Sequence, residues 1–248
     1  MKVFVIIPAA GLGTRMSAAS ATAQGKAPSK QFLELEGEPI LVHTLRRFAE
    51  CGDIHQIVIA MRKAEAGAFA PELQRHKFAK PISIVEGGEH RQQSVANALD
   101  SIHAADDDIV LVHDAVRPFV DGETITGVIE AVKKYGAAIA GVPAIDTIKR
   151  VERTADGALI TATIPREHIV QAQTPQGFRY SVLRKAFADA NADGFLGTDE
   201  ASLLERAGQT VHVVMGSARN IKITTPSDLE LAEFFIAQEN RRKASLAG

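Results

Sequence analysis

Residues 3–16 read VFVIIPAAGLGTRM, and this stretch carries information about both the fold and a ligand. The apolar run over residues 3–7 predicts a buried strand, which ends at Pro8. Small residues, two glycines and then Arg15 follow it. Glycines let a backbone approach a ligand closely, backbone N–H groups point at anionic oxygens, and arginine adds positive charge. The stretch therefore predicts a strand that opens into a phosphate-binding turn.

This turn differs from two common nucleotide-binding motifs. The dinucleotide fingerprint requires a third glycine where this chain has Met16. A Walker A loop requires Gly-Lys followed by Ser or Thr, whereas Ala27 follows the Gly25-Lys26 pair here. Taken alone, the stretch is also compatible with an ordinary strand-to-helix turn that contains glycines.

The composition limits the class of protein. With 248 residues and 46% apolar residues, the chain is long enough for one large α/β domain or two small ones. The net charge of −2 argues against a bulk electrostatic nucleic-acid binder, and no apolar stretch approaches the length of a membrane span. The single cysteine, Cys51, excludes an internal disulfide and fits a reducing cytosol. We expect a cytoplasmic protein with no secretory or transit segment before the first strand, and the histidine spacing predicts no zinc site.

Short apolar runs alternate with helical patterns over the first 142 residues. Further strands are predicted at residues 57–60, 82–85, 109–112 and 137–142, and helical patterns lie around residues 41–48, 63–78, 95–102 and 123–134. Strands that alternate with helices over this length predict an α/β fold with a mostly parallel sheet, covered by helices on both faces.

The pattern changes after Pro143. Two short β runs, at residues 147–151 and 159–163, flank the turn signal Asp156-Gly157, and residues 169–173 resemble a return strand. We therefore predict a β-hairpin arm over residues 143–173 that projects from the main sheet of a single domain, 1–248. A two-stranded arm cannot bury both of its faces, so a second subunit is expected to pack on it.

The C-terminal part returns to an α/β pattern. Helices are predicted near residues 180–190 and 198–207, and short strands at 211–215 and 221–224. Thr225 and Pro226 then form a typical helix start, with Thr225 as the N-cap and Pro226 in the first turn. Earlier in the chain, residues 17–29 are small and polar and predict a mobile loop between Arg15 and Lys30.

Candidate ligand-binding groups follow the predicted strands. In parallel α/β sheets, ligands bind at the carboxyl ends of the strands. The groups are the Arg15 turn; Gly87-Gly88 with Arg91 and Ser94; His113-Asp114-Ala115-Val116-Arg117; and, in a late segment, Lys222. Several cations, two glycine turns and one aspartate suit a nucleoside triphosphate with Mg²⁺. Other interpretations remain open, because Asp114 can instead cap the next segment or pair with Arg117, and Lys30 and Lys222 can simply face solvent.

With these residues collected, the chain resembles the cytidylyltransferases that act on sugar-alcohol phosphates, in particular the 2-C-methyl-D-erythritol 4-phosphate cytidylyltransferase family. The resemblance runs nearly end to end. It rests on PAAGLGTRM at 8–16, KQF at 30–32, GG at 87–88 followed by Arg91 and Ser94, HDAVRP at 113–118, DTIK at 146–149, QTPQ at 173–176, TDE at 198–200 and NIK at 220–222.

The resemblance implies a Rossmann-like nucleotidyltransferase sheet and transfer of CMP from CTP to a polyol phosphate, 2-C-methyl-D-erythritol 4-phosphate, in non-mevalonate isoprenoid precursor synthesis. It implies that Arg15 and Lys30 neutralise the triphosphate and the departing pyrophosphate, and that Lys222 stabilises the α-phosphate. Mg²⁺ or another divalent cation would bridge phosphate oxygens, with Asp114 as a partner of the metal or the ribose. The implied nucleotide-binding residues are Ala9, Ala10, Gly11, Gly88, Ser94, Asp114 and Ala115, and the implied acceptor-binding residues are Arg117, Thr147, Arg166 and Thr198.

The resemblance also implies an oligomeric state, and two alternative functions stay open. In the family the arm residues come from the neighbouring subunit, which implies a homodimer with arm exchange and a shared active site. Ribitol- or glycerol-phosphate cytidylyltransferases share most of these motifs and form the first alternative. The second alternative is a catalytically silent nucleotide-binding module on the same fold.

Overall fold

The computed structural model describes residues 1–11 and 30–247. Arg15 and the 17–29 loop predicted from the sequence lie outside the described residues. In chain order, the strands are β1 (Val3–Pro8), β2 (Glu34–Leu35), β3 (Glu38–Pro39), β4 (Ile54–Met61), β5 (Ile82–Glu86), β6 (Ile109–Val112), β7 (Ala137–Pro143), β8 (Ile148–Thr154), β9 (Gly157–Ile164), β10 (Val170–Arg179) and β11 (His212–Met215). The α-helices are α1 (Ile40–Ala49), α2 (Lys63–His76), α3 (Arg91–Asp100), α4 (Gly122–Tyr135), α5 (Tyr180–Ala192), α6 (Glu200–Arg206) and α7 (Pro226–Ala247).

Seven of the eleven described strands form a central sheet in the order β11-β7-β10-β6-β1-β4-β5, and β2 pairs with β3 in a separate two-stranded sheet. The pairs β1–β4, β1–β6, β4–β5 and β7–β11 are parallel, so the mostly parallel sheet predicted from the sequence is confirmed. None of the helices within the described residues is long and apolar enough to cross a membrane.

Helices cover both faces of the sheet because the side chains of its strands alternate between them. In β1, Val3, Val5 and Ile7 enter one core cluster, whereas Phe4 and Ile6 enter the other. The first cluster packs against α1, α2 and α4, and the second packs against α3, α5 and α6. The apolar run at residues 3–7 is therefore buried on both sides, as the sequence predicts.

Strand β10 extends further than the sequence indicates. It runs antiparallel between β6 and β7, so the predicted return strand over residues 169–173 is only its first half. The second half contains the polar, proline-containing string QTPQ, which does not resemble a central strand. Gly177 permits close packing there, since a Cβ at this position would lie 2.8 Å from side-chain carbons of Leu111, Val128 and Val132.

The predicted hairpin is present as β8 and β9, which form their own two-stranded sheet. Gly157, at the turn, adopts a φ of 142°, a value that favours glycine. Several apolar side chains of the hairpin face solvent: Val151, Leu159 and Ile160 are 45%, 64% and 66% exposed. The predicted hairpin is thus confirmed, whereas the bounds of the arm and its role in dimerisation stay predictions.

The strand predicted at residues 221–224 is wrong. These residues form an irregular segment, and the N–H of Ile223 donates to the carbonyl of Val116 rather than to a sheet neighbour. Ile223 is buried beside Val116 in a small core cluster, and this burial explains the alternating pattern that suggested a strand. The N-cap predicted next is confirmed, because the Thr225 hydroxyl accepts from the N–H of Asp228 at 3.3 Å at the start of α7.

Candidate active site

A cleft lies at the carboxyl ends of β1, β5 and β6, where the sequence places the ligand. Most of the predicted site residues that the structure describes line it. They are Ala9, Ala10, Gly11, Lys30, Gly88, Ser94, Asp114, Ala115 and Lys222. Arg91, Gln31 and His90 also line the cleft. Residues from five separate segments of the chain therefore meet around one space, and their individual roles stay predictions.

The turn after β5 is shaped by close packing against β1. A Cβ on Gly87 would lie 2.5 Å from the Cβ of Ala10, so the turn can approach β1 only with glycine at this position. The Ser94 hydroxyl accepts from the N–H of Gly88 at 3.0 Å and donates to the carbonyl of His90 at 3.0 Å. Ser94 is thus buried and holds the shape of the turn that forms one wall of the cleft.

Gln31 joins the Lys30 segment to β1. Its side-chain amide donates to the carbonyl of Ala9 at 2.6 Å, and the residue is buried. This contact positions Lys30, which begins a short 3₁₀ turn, at the edge of the cleft. The string KQF was part of the resemblance, but the sequence predicted no role for Gln31.

Asp114 is the electrostatic centre of the cleft, because three cations surround its carboxylate. Lys222 Nζ lies 2.9 Å from Oδ2, Arg117 Nε lies 3.2 Å from Oδ2, and Arg91 Nε lies 3.5 Å from Oδ1. Burial disfavours the charged form, but Arg91, Lys222 and Arg117 outweigh burial and hold the pKa of Asp114 well below its usual range. Asp114 is therefore a carboxylate at any physiological pH. The contact with Arg117 was one of the interpretations that the sequence left open.

Glu200 is a buried acid that the sequence analysis did not select. Its side chain is 2% exposed, and Oε1 accepts from Arg91 Nη1 at 2.7 Å. Burial raises the pKa of Glu200, and the charge of Arg91 offsets only part of that effect. Arg91 thus bridges two carboxylates, those of Glu200 and Asp114. The string TDE at 198–200 was the available signal, but a glutamate at a helix start is usually exposed.

A buried polar network lies beneath Asp114. The backbone N–H of Asp114 donates to the Thr174 hydroxyl at 3.1 Å, and this hydroxyl lies 3.0 Å from His113 Nδ1. His113 Nε2 lies 3.1 Å from the carbonyl of Arg117, which can only accept, so we assign the proton of the neutral ring to Nε2. Burial lowers the pKa of His113 to about 4, in keeping with a neutral ring.

Asn220 ties the Lys222 segment to the same network. Its side-chain amide donates to the backbone carbonyl of Thr174 at 2.8 Å, and the backbone carbonyl of Asn220 accepts from Arg117 Nη1 at 2.6 Å. Asn220 is fully buried. Lys222 is therefore presented by an irregular segment that buried hydrogen bonds hold in place, and not by a strand.

The four predicted acceptor-binding residues lie away from the lining of the cleft in their own chain. Arg117 is partly buried and contacts Asp114 and Asn220. Thr147 is exposed at the base of the arm, and Arg166 is exposed with Nη1 donating to the carbonyl of Ile145 at 2.6 Å. Thr198 is exposed just before α6. Whether they bind the acceptor stays a prediction.

Within residues 1–11 and 30–247, protein side chains alone do not form a metal site. No group of three His, Cys, Asp or Glu side chains there could hold a metal ion. Asp114 and Glu89 are the acids among the described residues that line the cleft, so a cation at this site would need ligand oxygens as well.

Comparisons with known proteins agree with this geometry. The model of the family described as 2-C-methyl-D-erythritol 4-phosphate cytidylyltransferase matches residues 3–238. The chain is 58% identical over 242 residues to the protein of that name from Acidobacterium capsulatum, covering 98% of this chain and 100% of that protein. It is 50% identical to the one from Solibacter usitatus, covering 98% of each. The structure is similar to that of the enzyme of the same name from Francisella tularensis, with a TM-score of 0.78, 36% identity and coverage of 94% and 99%.

Proposed function

The chain belongs to the 2-C-methyl-D-erythritol 4-phosphate cytidylyltransferase family, and we propose that the cleft around Asp114 is its active site. The enzyme transfers CMP from CTP to 2-C-methyl-D-erythritol 4-phosphate and releases pyrophosphate. Membership of this family supports that acceptor over ribitol or glycerol phosphate, and it supports an enzyme over a silent nucleotide-binding module.

The chemistry suits a site without a strong general base. The nucleophile is an oxygen of the acceptor's phosphate monoester, which is largely dianionic at neutral pH because its second pKa is about 6. This oxygen forms a bond to the α-phosphorus of CTP, and the bond from that phosphorus to the oxygen bridging to the β-phosphate breaks. Both reactants are anions, so catalysis requires positioning and neutralisation of charge.

The cations of the cleft supply that neutralisation. Lys222 is proposed to stabilise the α-phosphate in the transition state, and Lys30 to contact the phosphates that leave as pyrophosphate. The observation that carries the proposal is the ion pair between Lys222 and the buried Asp114, since it aims an ammonium group into the cleft that Lys30 also lines. Arg15 keeps its predicted role beside Lys30.

The small residues of the cleft suit the nucleoside. Ala9, Ala10 and Gly11 follow β1, Gly88 follows β5, and Ala115 follows β6. Short side chains let a ligand approach the backbone closely, and backbone groups can read cytosine and hold the ribose. We propose these residues, with Ser94 supporting the Gly88 turn, as the nucleotide-binding wall.

The cleft fits a divalent cation bound jointly with the nucleotide. Magnesium is commonly held by one or two carboxylates together with substrate phosphates. Asp114 is ionised, and among the described residues its Oδ1 has only the long 3.5 Å contact with Arg91, so this oxygen is the proposed ligand for Mg²⁺ or another divalent cation. When bound, such a cation neutralises phosphate charge.

We also propose a homodimer in which the arm at 143–173 reaches the partner's cleft. Support comes from the exposed apolar side chains of Leu159 and Ile160, and from the exposure of Thr147 and Arg166 at the base of the arm. Contacts from a partner would cover the apolar residues and would bring Thr147 and Arg166 to an acceptor. A single 1–248 domain and a cytoplasmic location, in keeping with one unpaired cysteine, complete the proposal.

An acceptor panel tests the function. The purified chain is incubated with CTP, Mg²⁺ and either 2-C-methyl-D-erythritol 4-phosphate, ribitol 5-phosphate or glycerol 3-phosphate, and pyrophosphate is measured. We expect turnover with the first acceptor to exceed the others by at least about 10²-fold in kcat/KM, as polar-group discrimination allows. Comparable turnover of another acceptor would refute the assigned substrate, and CTP binding without turnover would favour the silent module.

A further inference from the structure

The segment that carries Thr198 has no regular secondary structure. Residues 195–199, here called the Thr198 segment, join α5 to α6. Thr198 itself is exposed, and a residue on an irregular, exposed segment needs contacts from its neighbours to hold a fixed position. The contacts on either side of Thr198 therefore determine how firmly this residue is held.

On the N-terminal side, Gln92 of α3 holds the segment with both ends of its side-chain amide. Nε2 donates to the carbonyl of Phe195 at 3.0 Å, and Oε1 accepts from the N–H of Gly197 at 2.8 Å. An amide that donates to one backbone group and accepts from another two residues away fixes the backbone between them. Gly197 is also tightly packed, since a Cβ there would lie 2.5 Å from the Ser202 hydroxyl oxygen.

On the C-terminal side, Gln176 of β10 contacts one side chain and one backbone group. Its Nε2 donates to Oδ2 of Asp199 at 2.8 Å, and its Oε1 accepts from the N–H of Ala201 at 3.0 Å. Gln176 is 1% exposed, so these bonds are sheltered from water. The residues immediately before and after Thr198 are thus each bonded to a glutamine from another element.

The same region is joined to the cleft through Arg91. Arg91 precedes Gln92 on α3 and lines the cleft, and its ion pair with Glu200 anchors the first residue of α6. Helix α3 therefore contacts the Thr198 segment and the cleft with two consecutive side chains.

We propose that Gln92 and Gln176 are positioning residues for acceptor recognition, acting through Thr198. The inference rests on the proposed function and on the role that the resemblance implies for Thr198, binding of the polyol phosphate. Gln92 holds the backbone before Thr198, and Gln176 holds the Asp199 side chain and the Ala201 N–H after it. The Thr198 hydroxyl is therefore held before the acceptor arrives, and binding does not have to order the segment.

A double-mutant cycle on steady-state kinetics tests this proposal with the full-length chain. The variants are Gln92→Ala, Thr198→Ala and the double variant, each assayed with CTP and 2-C-methyl-D-erythritol 4-phosphate. We expect Gln92→Ala to raise the KM of the acceptor about fivefold or more while the KM of CTP changes by less than about twofold. The double variant should resemble the more impaired single variant, because both changes remove the same interaction.

The matched control is Asn97→Ala, on the same helix. Asn97 is exposed, and its amide donates to the carbonyl of Glu86 rather than to the Thr198 segment. Both KM values should stay near those of the wild type. Should Gln92→Ala fail to fold, Gln92→Glu keeps an acceptor for the Gly197 N–H and loses the donor to Phe195, and it should show the same selective rise in acceptor KM.

The outcomes distinguish failure of the positioning role from failure of the proposed function. If the wild type is active, three results would overturn the positioning role alone. They are an unchanged acceptor KM in the Gln92 variants, equal rises in the KM values of acceptor and CTP, and effects of the two changes that multiply in the double variant. A wild type that turns over no polyol phosphate would overturn the proposed function and this inference with it.

Discussion

Lys222 Nζ lies 2.9 Å from Oδ2 of Asp114, although one residue belongs to a late irregular segment and the other follows β6. The carboxylate is buried and ionised, and it also contacts Arg117 and Arg91. The lysine is therefore held as an ammonium group at the cleft edge. A fixed charge of this kind can stabilise a charge that develops in a transition state without reorganising at that moment.

Replacing Lys222 should impair the chemical step more than binding. We expect Lys222→Ala to lower kcat on the order of 10²-fold or more, with a smaller change in the affinity for CTP, because the charge at the α-phosphate is lost. Lys185→Ala, which removes an exposed lysine paired with Asp189 on α5, is the control and should remain fully active. Near-normal kcat in Lys222→Ala would remove this residue from the mechanism.

The tight turn after β5 predicts that Gly87 cannot carry a side chain. A Cβ in Gly87→Ala would press on the Cβ of Ala10, so we expect a loss of about 1–3 kcal/mol in the free energy of unfolding and a raised KM for CTP. Gly52→Ala is the matched control, since a Cβ there meets no atom within 4 Å. Chemical denaturation and steady-state kinetics measure the two effects. Equal behaviour of the two variants would contradict the packing argument.

His113 makes the stability of the fold depend on pH. Its pKa is lowered by burial from 6.5 to about 4, so between these values the unfolded chain binds a proton that the folded chain does not. The free energy of unfolding is therefore not reduced by His113 above about pH 6.5. It falls as the pH is lowered below this value, by about 3 kcal/mol on reaching pH 4. His113→Gln should flatten this part of the stability profile. An imidazole pKa near 6.5, measured by NMR on the folded protein, would contradict the prediction.

A shared active site predicts recovery of activity in mixed dimers. Arg166→Ala and Lys222→Ala should each be nearly inactive as homodimers. After subunit exchange, each hybrid has one site that combines an intact Lys222 with an intact Arg166 from the partner, so about a quarter of all sites in an equal mixture should regain activity. Mass spectrometry must first demonstrate the exchange. Demonstrated exchange without recovery would argue that both residues serve the same chain's site.

The sequence predicted the parallel core well because a run of apolar side chains directly indicates a buried strand. The run at residues 3–7 contributes to both faces of the sheet, and the turn signal at Asp156-Gly157 marked the hairpin. Most of the cleft residues could be anticipated as a group because they follow β1, β5 or β6, whose direction the α/β pattern fixes. Lys30 and Lys222 lie on a 3₁₀ turn and an irregular segment, and only the resemblance implied their roles.

Buried polar residues were harder to predict, because their partners lie far away in the chain. Glu200 resembles an exposed helix-start acid until Arg91 is placed beside it, and Gln176 resembles a loop residue until β10 enters the sheet. The alternation at residues 221–224 reflects packing of Ile223 against Val116 and not strand pairing. Such contacts depend on the assembled fold and leave no local period in the sequence.

In the proposed mechanism, the cations of this cleft gather around the α-phosphate of CTP so that a second anion can approach it. A crystal structure of the protein with CTP and Mg²⁺ would show whether they do. We expect the triphosphate in the cleft, with Lys222 in contact with an α-phosphate oxygen and Arg15 and Lys30 in contact with the outer phosphates. A nucleotide bound in the cleft with Lys222 turned away from the α-phosphate would contradict the mechanism.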